Sequence, residues 1–508
     1  MESAGTCAHR RRVGGLALLA LLLFLALGCG DGSTPLQPSS AVQVKIGDAA
    51  ADRVVALEMT LTSLVLTKSD GQLVSVLPEA RRIEFTRLAG TVEPVALLNI
   101  PQGSYTEAAL AGSDLHLTYL DAAGAVQEYT QAREITTSMV LNPQLGVTTS
   151  SIMNIDLNLA ASILSIDPTN VARPQFRPVY SFSISPVSTT KQQDEEGALE
   201  HVIGVVTAAD SSSFTMQLGQ NGILLTFAVD ASTAFQDVTL TTLPNMIVEV
   251  DGVTAADGTL YAERVAGLTN TGGAVVEGVL TRRTFLPDGF AKRTAYRPIA
   301  PLVVQDGVGN GMVDALVGTP VTVDFSSAAY GVNGEGMPDG WAFSLIGGLV
   351  FNPATIIPGQ SVQVVTDTGI TPLDSGYTIP ARTVTLQEQA ASGVVSDYRD
   401  GLVFGLLLGL RDTKTVSPRS AISMPVAAFD LQLPDDSYLT LLTQFTSVNV
   451  GVFPETKVNG TSAISDLMTV RVRGWLFYFD DELAMVADRI DFVSAPVPTS
   501  VRTDIPRR

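Results

Sequence analysis

His116 and His201 are the only imidazoles after residue 28, and imidazole is the usual base behind a serine or cysteine nucleophile. His116 sits in "DLHLTYL" on the face opposite Leu115 and Leu117, the place of a surface or pocket-edge side chain. His201 opens a later segment and reads as a boundary residue. "STTK", Ser188 to Lys191, has the S-x-x-K spacing of a serine paired with lysine, yet no S-D-N or K-T-G follows it, and no G-x-S-x-G elbow occurs anywhere. Metal ligation lacks H-E-x-x-H and C-x-x-C. "DGVGNGMVD" offers Asp306, Asn310 and Asp314, but Val308 stands where a calcium loop places an oxygen. "PDDSY" and "FDDEL" read as solvated acidic turns. The residues therefore predict no catalytic group, no metal and no cofactor; a phosphate-binding glycine loop ahead of a helix is also missing. A carboxylate pair that hydrolyses glycans is defined by its separation in space, so that chemistry stays open as a second reading. The aromatic run "WLFYF", Trp475 to Phe479, could stack on sugar rings, but alternation predicts core residues plus one exposed face.

Cys29 carries the clearest chemistry. Arg10, Arg11 and Arg12 precede an apolar stretch from Val13 to Leu27, shorter than the ~20 residues that span a bilayer. "ALGC", Ala26 to Cys29, resembles a lipobox with alanine where leucine is more usual. A plain secretory cut after Gly28 would leave Cys29 as an unpaired exported thiol, because the other cysteine, Cys7, lies in the leader. Acylation of Cys29 is the expectation, each buried CH₂ adding about 0.8 kcal/mol of membrane affinity. Residues 30–40 are small and polar, as a flexible tether is.

The formal charge is −20, and loss of the arginine-bearing leader makes the mature chain more acidic still. Such a surface repels phosphate backbones, which excludes nucleic acid as a partner. With 45% hydrophobic and 16% charged residues the chain is globular and can bury several cores.

"AVQVKIGDAAADRVVALEMTLTSLVL", residues 41–66, alternates with a period of two, and similar short runs continue to "PVYSFSI". This is a β-sandwich pattern. Together with "LLNIPQGSYTEAAL" and "NIDLNLAASIL", these pieces resemble a bacterial family known as domain of unknown function 4382, found in surface or periplasmic lipoproteins. Pro101, Gly103 and Tyr105 resemble the P-x-G-x-Y corner of transthyretin-like sandwiches, in which tyrosine packs back on the turn.

Beyond a polar stretch the chain repeats. "MIVEVDGVTAADGTLYAERV" from Met246 lies over "MTVRVRGWLFYFDDELAMVADRI" from Met468, and "FTMQLGQNGILLTFAVDASTAF" over "FDLQLPDDSYLTLLTQFTSVNV". A weaker middle copy runs through "TVDFSSAAYGV", "IIPGQSVQVV" and "ARTV". Each copy opens on a glycine strand: "IGVV", "EGVL", "SGVV". These copies resemble a second family, domain of unknown function 5666, whose members are small β-barrel-like modules.

The expected architecture is all-β: a leader at 1–28, a tether at 29–40, a sandwich at 41–188, a linker at 189–200, barrel-like modules at 201–268, 274–388 and 391–494, and a tail at 495–508. The expected function is structural or ligand-binding, without catalysis, on a protein lipid-anchored through Cys29 to the outer or inner membrane and facing the periplasm or exterior. A glycan or an envelope protein is the expected ligand class. A glycan-acting hydrolase and a calcium-assisted adhesion protein are the other two readings.

Overall fold

The computed structural model describes residues 39–49, 53–88, 92–165, 175–187, 198–219, 222–281, 299–309, 312–333, 337, 349, 351–373, 376–400, 427–459, 463–479 and 481–493. Cys29, the leader, the tether before Ser39, linker residues 189–197, Asn310 and the tail from 495 lie outside them. The chain divides into two compact units, Met1–Ser39 and Ser40–Arg508, and the sheets build the second.

Strand periodicity is realised almost throughout. In the sandwich, one sheet runs Tyr180–Pro186, Ser151–Asn158, Ser39–Ala49, Val92–Pro101. The other has the path Leu73–Ser75, Val54–Lys68, Gly103–Leu120, Val126–Gln131, with Arg81–Glu84 and Ile135–Val147 pairing off it. Val44, Ile46 and Ile155 from the first share a core with Leu57, Leu64 and Leu117 from the second. The corner forms as its residues demand: the buried Tyr105 hydroxyl donates to the Pro101 carbonyl at 2.6 Å. Val54–Lys68 alternates along its second half but is buried on both faces at its start, where Val55 and Ala56 pack against Val279 and Val303 of the middle module.

The first and third modules are closed five-stranded barrels of identical topology. In the first, the order is Leu224–Ala228, Ser213–Leu218, Ala198–Ala209, Met246–Thr254, Leu260–Asn270, closed by the parallel pairing Phe227↔Leu260. In the third it is Ser447–Val452, Ala427–Gln432, Glu388–Asp400, Thr469–Phe479, Glu482–Phe492, closed by Val450↔Met485. The middle module follows the same path with its last strand divided into Gly376–Pro380 and Thr383–Leu386. There the backbone changes neighbour within two residues: Ala381 donates to the Asp324 carbonyl and Arg382 to that of Val365.

The repeated glycines have one physical cause. A Cβ on Gly204, Gly278 or Gly393 would lie 2.4, 2.1 or 2.3 Å from a carbonyl oxygen of the adjacent strand, and on Gly252 or Gly474 it would lie 2.5 or 2.0 Å from one. Register slips at Gly252, Gly278 and Gly474, so these are bulges at which a tight barrel bends. Gly258 supplies the left-handed turn of the Asp257–Gly258 hairpin at φ 86°.

The middle and third modules share a core. Leu476 and Tyr478 fill the third barrel, whereas Trp475 and Phe477, on the other face of the same strand, join one cluster with Val276, Leu302 and Val364 of the middle module. The exposed aromatic face expected of "WLFYF" is absent from its described residues, because the middle module covers it: Trp475, Leu476 and Phe477 are fully buried and Tyr478 is 5% exposed.

Gly278→Ala is expected to destabilise the protein by about 2–4 kcal/mol, since a backbone carbonyl cannot yield as a side chain can. Gly146→Ala, whose Cβ meets nothing within 4 Å, should stay within about 0.5 kcal/mol of wild type. Urea denaturation compares them, and equal midpoints would refute the steric account.

Candidate functional site

Alternation gives every barrel an outward face, and here the three outward faces meet the sandwich around a cavity of about 140 Å³. Along Met246–Thr254, Val248 and Val250 point into the first barrel, so Glu249 and Asp251 point out of it. On an isolated barrel they would be solvated; they are 3% and 7% exposed. Arg264 lies across the ladder from Asp251, and its Nη1 donates to Asp251 Oδ2 at 2.7 Å and Glu249 Oε1 at 3.1 Å.

His201 reaches the same place through a bulge. The register slips between Leu199 and Val202, and His201 takes a left-handed φ of 53°. Its backbone N–H donates to Asp251 Oδ1 at 2.7 Å, and Nδ1 lies 3.3 Å from Glu249 Oε1. Two neutral side chains extend the network behind His201. Gln363 Nε2 donates to Glu249 Oε2 at 2.9 Å and to Glu277 Oε1 at 3.2 Å, while Asn333 Nδ2 donates to Glu249 Oε1 and Gln387 Oε1, both at 3.2 Å.

Burial alone would discharge His201, but the Glu249 hydrogen bond and the charges of Glu249, Asp251 and Glu388 push its pKa up to about 10. Burial likewise favours a neutral Glu249, and His201, Gln363 and Arg264 outweigh it, taking the carboxyl down to about 2. The pair is ionised throughout the neutral range. Ligand atoms of His201, Glu249 and Asp251 lie within 4.8 Å of one another, the spacing of a metal triad. Arg264 already bridges the two carboxylates, so a cation there would share them with a guanidinium. The arrangement is an internal ion cluster.

A second tie joins the first and third barrels. Arg473, 7% exposed, places Nη2 2.8 Å from Glu388 Oε2 and Nη1 3.3 Å from Glu200 Oε2. A third joins the sandwich to the middle module. Glu84 accepts from the backbone N–H of Leu57, Thr86 and Arg87, which fixes the short turn Thr86–Leu88. Arg87 is thereby held against Glu93 and, at 3.3 Å, Asp306. Facing Asp306, Glu277 is pushed up to about 7 by burial and by the Asp306 charge, against the pull of Arg87.

Of the described residues singled out in sequence, His201, Asp306 and Tyr438 of "PDDSY" come to this junction. His116 Nε2 sits 3.3 Å from Glu128 at another seam, its ring against Gly318 of the middle module. Asp306 lies in strand Ile299–Gly309, paired with Arg87, instead of in a cation loop. In "PDDSY", Ser437 caps the helix Tyr438–Thr443, and the Tyr438 hydroxyl accepts from Gln389 at the cavity wall. In "FDDEL", Asp481 accepts from the Tyr478 hydroxyl. Sequence reasoning passed over Glu249, Asp251, Arg264, Glu277 and Arg473. One signal for them was available: Asp251 and Arg473 stand at the same repeat position, each before the bulge glycine, with opposite charge.

Residues 203–266 match the family model described as a domain of unknown function (DUF5666). The match spans the first barrel and holds Glu249, Asp251 and Arg264, while His201 precedes it. No curated protein matches the chain. The barrel that this model matches thus contributes Glu249, Asp251 and Arg264, and the modules around it contribute the groups that enclose them.

Arg473→Met is expected to cost about 3–5 kcal/mol, because it strands buried Glu388. Arg473→Met combined with Glu388→Leu should recover part of that loss in the same denaturation assay; a double variant no better than the single one would refute the pairing. Glu277 titrates near 7 folded and near 4.3 unfolded. The native state therefore binds more protons between those values, and stability falls as pH rises from about 4.5 to about 7. Glu277→Gln should remove roughly 2–3 kcal/mol of that fall, measured as the wild-type minus variant difference at pH 4.5 and 7.5.

Proposed function

We propose that the chain is a lipid-anchored cell-envelope protein with a structural or ligand-binding role and no catalysis. The observation that carries this reading is the fate of the outward charges. Glu249, Asp251 and Arg264 neutralise one another, and Arg473 and Arg87 tie modules together, so the charged faces of the barrels serve to hold sandwich and modules as one body. A body of this kind is a platform, with a small, partly open cavity where sandwich and modules meet. The leader, the "ALGC" boundary and the polar stretch to Ser40 support attachment through an acylated Cys29, with the sandwich nearest the lipid. The resemblance of residues 41–188 to domain of unknown function 4382 supports the same setting. A glycan or an envelope protein is the macromolecular ligand class that fits it.

Mass spectrometry of the N-terminal peptide is expected to begin at Cys29 and to carry diacylglyceryl and acyl mass. Wild type should fractionate with membranes and Cys29→Ser should not. An unmodified Cys29 thiol on protein free in the medium would overturn the reading.

A further inference from the structure

The outer face of the sandwich's first sheet sets a lysine beside an asparagine under cover. Along Ser39–Ala49, Val44 and Ile46 point into the sandwich core, and along Ser151–Asn158 so do Met153, Ile155 and Leu157. Lys45, Asn154 and Asp156 therefore leave the opposite face. Lys45 is 0% exposed there, and the first barrel reaches the same face, where Thr254 donates to Gln43 at 2.9 Å. The two strands run parallel with Lys45↔Asn154 as ladder partners, so both side chains stand on one face of strands about 4.8 Å apart, a gap shorter than a lysine side chain. Asn154 Oδ1 is buried and has no hydrogen-bond partner among the described residues. Asp156 follows two residues on, opposite Gly47. Burial pushes its carboxyl up towards the protonated form, against the charge of Arg471 in the third barrel.

We propose that Lys45 and Asn154 are joined by an isopeptide bond that the folded sandwich makes on itself, with Asp156 carrying the proton. The Lys45 Nζ lone pair attacks Asn154 Cγ. The Nζ–Cγ bond forms, the Cγ–Nδ2 bond breaks, and one Nζ proton passes through the Asp156 carboxyl to Nδ2, which leaves as ammonia. Amine plus carboxamide gives secondary amide plus ammonia, with no oxidant, reductant or cofactor. Burial disfavours the charged form of an amine, and the neutral amine is the nucleophile. The ladder holds it beside its target, so the step is intramolecular and pays no cost of encounter. An Asp156 carboxyl that keeps its proton can donate to Asn154 Oδ1, the atom on which negative charge develops. The bond closes a loop over residues 45–154 and ties the strand that follows the tether to Ser151–Asn158. Under the anchorage reading that first strand is where a pull on the lipid is felt, but the bond itself stands on the ladder and not on that reading.

The test is mass spectrometry of the purified full-length protein after tryptic digestion. Wild type is expected to resist cleavage after Lys45 and to yield a branched peptide that joins the Lys45 and Asn154 segments, lighter by one ammonia than the sum of its two parts. Lys45→Met and Asn154→Ala, checked for native circular dichroism, should lose the branched peptide and melt at a lower Tm than wild type. Asp156→Asn should fold and leave most of the chain unlinked, which loss of a merely structural carboxyl would not do. A folded wild type that trypsin cuts after Lys45 and whose peptides carry full mass overturns the proposal. So does an ammonia loss that maps instead to a succinimide at an Asn-Gly pair such as Asn459–Gly460. Linkage undiminished in Asp156→Asn overturns the role given to that residue. If a variant fails to fold, the wild-type digest decides alone. A branched peptide from Cys29→Ser protein free of the membrane would separate this bond from the anchor.

Discussion

A buried guanidinium sets the organisation of the whole unit. In the first barrel the residue before the bulge glycine is Asp251, and the residue across the ladder is Arg264, so the pair satisfies itself. In the third barrel the same two positions are Arg473 and Arg489. Two cations facing each other across a ladder repel, and Arg473 is almost fully buried. It is held by carboxylates from outside that ladder pair: Glu388, on the neighbouring strand, and Glu200 of the first barrel. A single reversal of charge between copies leaves a guanidinium that its own barrel meets with Glu388 and the first barrel meets with a second carboxylate, Glu200. Because a buried charge costs several kcal/mol when its partner is withdrawn, the tie resists opening.

Strand alternation is the reason charge ends up inside. A five-stranded barrel has one inward set of side chains and one outward set, and the outward set meets water unless another body covers it. Here the coverage is nearly complete at the junction. Trp475 and Phe477 meet it with an apolar surface shared with the middle module, whereas Glu249, Glu277 and Arg473 meet it with paired charge. The apolar part supplies burial, and the polar part constrains which faces can meet.

The strands, the tyrosine corner, the Gly258 turn and the barrel topology were legible, since each depends on residues close in sequence or on repetition. Val-x-Val with a glycine two residues later is a local instruction to pair and then bend, and it works the same way in the first and third copies. The junction was not legible from any one strand. Alternation tells that Glu249 and Val248 face opposite ways, but not that a second barrel lies beyond Glu249. His201 was hidden for a related reason: a bulge between Leu199 and Val202 breaks the period that placed it at a boundary. Trp475 was misread because its outer face looks the same in sequence whether water or the middle module covers it.

Charge at these seams also answers a problem that repetition creates. Three barrels of one design present outward faces of similar shape, and purely apolar patches would let any barrel dock on any other. The ladder positions set by Gly204↔Val248, Gly278↔Val362 and Gly393↔Val470 make Glu249, Gln363 and Arg471 equivalent. They are an acid, an amide and a base. Gln363 can donate to Glu249 and Glu277 together, which a carboxylate in its place could not do without repulsion. An arginine there would compete with Arg264 for Glu249. The acid and the amide are thus matched to each other across the seam between the first and middle modules, and a second acid in place of Gln363 would set like charges together there. The order of the modules is therefore written in the residues that distinguish the copies, while the fold is written in those they share.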